Sequence, residues 1–386
     1  MSLILNSQNI FDYLIEHRLF TESDKASAKI EPILAKNFNL LISFSDNGKL
    51  LVKQERHNQE GKTAGEFLGE WRLQKFLQDF SELNALCPYV PEIVHFDQDN
   101  SILICNYLEH YRDLADFYAK EDLFAPVIAS SLGTILAIIH RQTFNNEEYK
   151  TFFSHDLGSP NSNPILKSIQ GLEKITPEIF GVVPTDGLKF FALYQRYDSL
   201  GKAIAELGQA LNPICLTHND LKLNNILLSN DWQESDKNLV RLIDWERSGW
   251  GDPAFDLGML MGGYIQIWLG SLVISQSLTI DESLRLATTP LELLQPSIAA
   301  LYLAYFHTFP EIIEHKPDFL KRVIQCAGFA LIGQIQAMIQ YQKSFGNTGI
   351  AMLQVAKTLL SRPTQSIPTL FGSATSQLPQ PNSVII

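Results

Sequence analysis

The chain of 386 residues has little cysteine and no concentrated positive charge. Its four cysteines, Cys87, Cys105, Cys215 and Cys326, are scattered and form no C-x-x-C pair. That argues against a metal-ligand spacing and a disulfide framework, and fits a reducing cytoplasm. No cluster of Lys or Arg occurs and the formal net charge is −12 at pH 7, so a general nucleic-acid-binding role is disfavoured. The opening MSLILNSQNIFDYLIEH lacks the basic flank and clean apolar centre of a signal peptide. Charge is missing altogether between Asp256 and Asp281, and again after Arg362. The first of these stretches, LGMLMGGYIQIWLGSLVIS, is long enough to span a bilayer. Gln266, Ser271, four glycines and the lack of basic flanks instead read as a buried helix, with no membrane partner. The second, residues 363–386, is rich in Pro, Ser and Thr and reads as a disordered or weakly docked tail.

What is present is the composition of an ordinary globular chain, 45% hydrophobic and 19% charged. Its length suggests two lobes. Spacing predicts an amphipathic helix over about 8–24. A strand-rich region follows, with KIEPILA and NLLISFS separated by KNFN, and the turn signal Asp46–Gly48 leads into KLLVKQ. A helix is predicted over about 64–80, and EIVHFDQDNSILICNYL reads as two more strands around a turn. From about residue 110 helical patterns dominate, over about 113–142, 187–211, 256–275, 295–308, 318–344 and 349–361. Residues 150–186 read as loops with short helices. No internal repeat is seen. The expected layout is a β-rich lobe over 1–108, a large helical lobe over 109–362 and the tail beyond.

One stretch, THNDLKLNNILL, carries the spacing H-x-D-x-x-x-x-N of a kinase catalytic loop at His218, Asp220 and Asn225. Phosphoryl transfer needs a base to receive or orient a hydroxyl and oxygen ligands that hold Mg²⁺ on the phosphates. Asp220 suits the first task, and Asn225 offers a neutral oxygen to a hard cation. Lys222 lies where its charge could reach the transferring phosphate. Taken alone, the cluster also fits an ordinary turn capped by Asp and Asn. A second element supports the chemistry: VRLIDWERSGWGDPAFDLG sets Asp244 at the end of an apolar strand, 24 residues after Asp220, in the position of a second metal aspartate. The third element is Lys53, a lysine inside the apolar strand LLVKQ, which is costly without a partner. In kinases such a lysine binds the α- and β-phosphates and pairs with a helix glutamate. Of the candidates Glu66 and Glu70, Glu70 falls between Phe67, Leu73 and Leu77 on the inward helix face. A solvated edge lysine and a solvated glutamate are the plainer alternative for that pair.

HNDLKLNNILL followed by LIDWERSGWGDPAFDLG resembles the aminoglycoside phosphotransferase and choline kinase group, from about Ile30 to Leu360. The resemblance implies an α+β fold of the bilobal protein-kinase-like type, with a small β-rich N-lobe and a large mostly helical C-lobe. It implies ATP bound between the lobes, Mg²⁺ on Asn225 and Asp244, and Asp220 as catalytic base. It also implies that Asp256 braces the catalytic loop, that Cys105 is the gatekeeper, and that adenine meets the backbone of Asn106 and Leu108. The sequence departs from protein kinases in two ways. No G-x-G-x-x-G loop precedes Lys53, the chain there being AKNFN. Only about a dozen residues separate Asp244 from Asp256, with no A-P-E after them. A regulated activation loop does not fit in that space, so activity without phosphorylation of the chain is expected.

Three roles compete: a kinase of small-molecule hydroxyls, a kinase of peptide Ser or Thr, and a pseudokinase that binds nucleotide or a partner without chemistry. The presence of Lys53, Asp220, Asn225 and Asp244 disfavours the last. Between residues 271 and 360 six acids face six bases, which disfavours a pocket for polycationic antibiotics. Lys222 is similar to the lysine of Ser/Thr protein kinases. The stretch through YIQIWL resembles phosphotransferases of ribosomal peptide pathways, in which a partner lyase then eliminates the phosphate; the alternative for that stretch is a plain core helix. His218 reads as structural, and His110, His140, His307 and His315 show no ligand spacing. Glu246 is open between orienting metal-bound water and a solvated or ion-paired role.

Overall fold

The computed structural model describes residues 3–25, 28–33, 36–44, 48–58, 60–154, 184–234, 239–275 and 277–379. The turn expected at Asp46–Gly48 and most of the loop stretch at 150–186 lie outside these. The chain forms two compact units, Met1–Arg112 with Leu227–Ser248, and Asp113–Ile226 with Gly249–Ile386. Residues 227–248, expected in the second lobe, therefore belong to the first, and the first boundary falls at 112 and not at 108.

The first unit opens with α1 (Ile10–Glu16) and α2 (Glu22–Lys25). The single helix expected over 8–24 is cut because Arg18 takes a left-handed conformation, φ 58°. Then come β1 (Lys29–Ile33), β2 (Phe38–Ser43), β3 (Lys49–Gln54), α3 (Glu66–Asp79), β4 (Ile93–Asp97), β5 (Ile102–Asn106) and β6 (Tyr111–Asp113). The first five strands form a sheet in the order β1-β2-β3-β5-β4, antiparallel at every pairing. The period-two alternation of strands sorts its side chains. Leu40, Ile42, Leu50, Val52, Ile102 and Ile104 pack on one face with Ile10, Tyr13 and Leu14 of α1. Leu51, Leu103 and Cys105 pack on the other with Phe67 and Trp71 of α3. Lys53 is on that second face by alternation, so the strand delivers its ammonium to α3.

The second unit starts with α4 (Leu114–Glu121) and α5 (Pro126–Thr143). The helix expected over 113–142 is broken by left-handed Asp122 and restarted by Pro126 at the first helical position. It continues through α6 (Glu147–Ser154), α7 (Thr185–Gln195), α8 (Asp198–Ala210) and β7 (Cys215–Thr217). The chain then returns to the first unit, where β8 (Ile226–Ser229) and β9 (Val240–Leu242) form a three-stranded sheet in the order β6-β8-β9. Back in the second unit, β10 (Gly249–Gly251) pairs antiparallel with β7. The helices α9 (Pro253–Gly270), α10 (Ile280–Arg285), α11 (Leu291–Thr308), α12 (Ile312–His315), α13 (Phe319–Ala337), α14 (Asn347–Ser361) and α15 (Pro363–Phe371) complete it.

The charge-free stretch after Asp256 is α9, and it is core. A Cβ on Gly258 would lie 2.4 Å from Cys326 Cβ, and one on Gly262 would lie 2.7 Å from Ala330 Cβ, so α9 and α13 approach as closely as small residues permit. Among the described residues, one helical run, Phe319–Gln342, is long and apolar enough to cross a membrane, and two thirds of its apolar window is buried. The tail, expected to be disordered or weakly docked, is folded and packed over 363–379. Pro363 starts α15, and Pro363, Ser366, Leu370, Phe371 and Leu378 are buried. Spacing i, i+3, i+7 gives α15 an inward face, and the lack of charge there reflects burial.

Candidate active site

Two clusters of the expected residues form, one in each unit. In the first unit β3 carries Lys53 and α3 carries Glu70, and their side chains meet at 3.2 Å. The choice of Glu70 over Glu66 agrees with this geometry: Glu70 is 4% exposed, whereas Glu66 pairs with Lys36 and lies near Asn37. Asp244 Oδ1 is 3.6 Å from Lys53 Nζ. Burial works against the charge on Lys53, but the Glu70 carboxylate, with Cys105 and Asp244 behind it, more than offsets this and raises its pKa above the ordinary lysine range. The ammonium also sits 5.9 Å from the centre of the Phe67 ring.

Asp244 has φ 63°, a left-handed conformation that Asp tolerates better than most residues. It ends the β9 stretch and opens the short 3-10 turn Trp245–Arg247, whose Trp245 is buried with its indole N–H on the Leu242 carbonyl. This turn lies against α3 at Gly69: a Cβ there would stand 2.1 Å from the Glu246 carbonyl oxygen. The missing side chain lets helix and turn touch by backbone, which brings Glu70, Asp244 and Glu246 together with ligand oxygens within 4.8 Å of one another. Burial first, then Glu66 and Asp244, push Glu246 up to about 7. Mg²⁺ prefers hard oxygen donors; in this cluster Asp244 is the carboxylate that fits that ion, since Glu70 is engaged by Lys53 and burial favours the neutral form of Glu246.

Cys105 lies in β5 with its thiol toward the Leu51 carbonyl at 3.7 Å, and burial pushes its pKa up to about 11. The Asn106 N–H donates to the Glu92 carbonyl, and the Leu108 carbonyl accepts from the Tyr111 N–H. Asn106 and Leu108 thus each have one backbone group engaged within the first unit.

In the second unit the loop between β7 and β8 holds Asp220, Lys222 and Asn225. Lys222 Nζ lies 2.9 Å from the Asp220 carboxylate. The Asn225 amide nitrogen donates to the Asp220 carbonyl at 2.8 Å, which turns the side-chain oxygen into the group it can offer a cation. The His218 ring accepts from the Asp220 N–H at 3.4 Å, the structural role read from the sequence. Asn219 has φ 66°, and this sharp turn is fixed by Asp256 in the first turn of α9. The Asp256 carboxylate accepts from the His218 N–H at 2.7 Å and the Asn219 N–H at 2.9 Å. Burial acts to raise Asp256, but the His140 hydrogen bond and charge outweigh it and hold the carboxyl below its ordinary value.

Three supports behind this loop were not visible in the sequence. His140 Nε2 lies 3.3 Å from Asp256, and its Nδ1 lies 3.0 Å from the Tyr305 hydroxyl. Lys316 reaches Asp252 at 2.5 Å, in a pair that is 10% and 2% exposed. Asp252 in turn caps α9 through the Ala254 N–H and accepts from the Asn212 N–H. The position that brings each of these residues to α9 depends on helix packing, and nothing in its local sequence marks it.

A profile described as the phosphotransferase enzyme family matches residues 35–279, more than half of the chain. The chain belongs to that family. A 4-hydroxytryptamine kinase of Psilocybe cyanescens is 23% identical over 180 residues, which are 45% of this chain and 46% of that protein. The chain thus spans about half the length of that curated relative. An ethanolamine kinase of Plasmodium vivax superposes with a TM-score of 0.56 over 92% of this chain and 90% of its own, at 15% identity, and shares the fold. An ADP-bound aminoglycoside phosphotransferase gives a TM-score of 0.48 over 92% and 99% of the two chains, at 16% identity.

Proposed function

We propose that the chain is an ATP- and Mg²⁺-dependent phosphotransferase that moves the γ-phosphate of ATP to the hydroxyl of a small molecule. The observation that carries this reading is the braced catalytic loop, in which Asp220, Lys222 and Asn225 are held by Asp256 through two backbone amides. Asp220 is the base that accepts the hydroxyl proton. Lys222 stabilises the charge of Asp220 and of the phosphate as it moves. Lys53, fixed by Glu70, binds phosphate oxygens. Asn225 in the second unit and Asp244 in the first are the oxygen donors we assign to Mg²⁺, whose charge would offset that developing on the phosphates.

The acceptor class is supported by the curated relative, whose name places its chemistry on a small hydroxylated amine. The peptide alternative drew on Lys222 and on the stretch through YIQIWL. Tyr264 and Ile265 in that stretch are fully buried, and Tyr264 bonds the Tyr118 hydroxyl at 2.9 Å, so it is helix core and gives no argument for a peptide. A partner lyase is not part of this reading.

The test is incubation with Mg²⁺, γ-labelled ATP and a cell extract separated by size, with Asp220→Ala as control. Label is expected in the metabolite fraction, and the control is expected to transfer on the order of 10²–10⁴-fold more slowly with ATP affinity intact. Label in peptides alone, or equal transfer by the control, would refute the reading.

A further inference from the structure

We propose that Glu55 is a positioning residue for phosphate binding: it clamps α3 to the end of β3 and so holds Glu70 on Lys53. The inference rests on the phosphotransferase reading. Glu55 directly follows β3 and is 2% exposed. Its own N–H donates to the Ser101 carbonyl at 3.1 Å, which fixes its backbone to the sheet. Its two carboxylate oxygens each take one amide, from Gly65 at 2.8 Å and from Phe67 at 2.7 Å.

Those amides belong to the start of α3, where backbone donors lack partners within the helix. Gly65, the residue that would ordinarily supply a capping side chain, has none, and its φ of 76° suits glycine. The cap comes from ten residues earlier in the chain. A carboxylate at a helix N-terminus is favoured by the helix dipole and by two charge-assisted hydrogen bonds.

Strand geometry gives the clamp its consequence. Residues two apart on a strand point to the same side, so Glu55 and Lys53 both face α3. The helix is thus tied to one strand at two places, by Glu55 at its first turn and by the Lys53–Glu70 pair one turn further on. A third constraint is the backbone contact of Gly69 with Glu246. A buried carboxylate is costly unless fully bonded, and both oxygens of Glu55 are spent on the start of α3. The clamp fixes the glutamate partner of Lys53 from within the chain.

The test is a double-mutant cycle on ATP affinity, measured by titration calorimetry with Mg²⁺, for wild type, Glu55→Gln, Glu70→Gln and the double variant. Glutamine keeps the shape of Glu55 but turns an NH₂ toward one of the two amides. Glu55→Gln is expected to weaken ATP binding about tenfold, the scale of one lost charge-assisted hydrogen bond. In the Glu70→Gln background it should add almost nothing, because the clamp acts through Glu70. Effects that multiply, or a lowered Tm with unchanged ATP affinity, would show a merely structural role and overturn the inference alone. Wild-type chain that takes up no ATP overturns the phosphotransferase reading and this inference with it. Hydrogen exchange of wild type guards against variants that fail to fold: the Gly65 and Phe67 amides should exchange as slowly as the interior of α3, and rapid exchange at both would remove the clamp.

Discussion

At the scale of single residues, the proposed chemistry leans on charges held by named partners, Lys53 by Glu70 and the buried Asp256 by two backbone amides. Asp256 shows the pH consequence. Its carboxyl is held below its ordinary value in the folded chain, so the unfolded chain binds its proton first as pH falls. The stabilisation is therefore complete above the unfolded value of about 3.9 and is lost as pH drops through the folded value. In chemical denaturation between pH 2 and 6, wild type should exceed Asp256→Asn most clearly at the upper end, with the gap narrowing below about pH 4. Some residues declare such roles by type and spacing. In the proposed mechanism Asp220 and Asn225 do so because a base and a metal donor must stand at fixed separation on one loop, and Lys53 because a charge inside an apolar strand demands a partner. Glu55, His140, Tyr305 and Lys316 do not, because each acts on a segment distant in sequence and looks like an ordinary polar residue among its neighbours.

At the scale of elements, the catalytic groups are only as well placed as the helices behind them. Gly69→Ala would force α3 away from the Glu246 carbonyl, and overpacking of this kind costs about 1–3 kcal/mol. A lowered denaturation midpoint together with weaker ATP binding is expected, and binding equal to wild type would show that the contact is incidental to the Lys53 cluster. In the second unit, Lys316→Met leaves Asp252 buried without its cation at the head of α9. Breaking a buried pair from one side costs about 3–5 kcal/mol, to be read from denaturant unfolding. The helix and strand pattern was largely legible, since α3, α9, α11, α13 and α14 follow from apolar spacing and lie within a few residues of expectation. Breaks were less so. Arg18 and Asp122 end helices by adopting left-handed conformations, which no residue type there requires.

At the scale of the molecule, the clearest departure from expectation is the C-terminal segment. Proline and missing charge suggested a loose tail, whereas α15 is held against α11 by Phe371, whose ring lies 5.9 Å from that of Tyr302. Phe371→Ala should destabilise the chain by about 3–5 kcal/mol, measured as a fall in unfolding free energy, and a change near zero would mean that α15 does not contribute to the core. The route of the backbone has a different consequence. Residues 227–248 close the first unit, although more than a hundred residues of the second unit precede them. During synthesis the first unit therefore lacks β8, β9 and Asp244 until residue 248 has left the ribosome. The first unit cannot close until the stretch 113–226 of the second has been made, unlike successive domains that each fold from one continuous segment of a growing chain. The cluster of Lys53, Glu70 and Asp244 can therefore assemble only once residue 248 has emerged, while more than half of the second unit is still unmade.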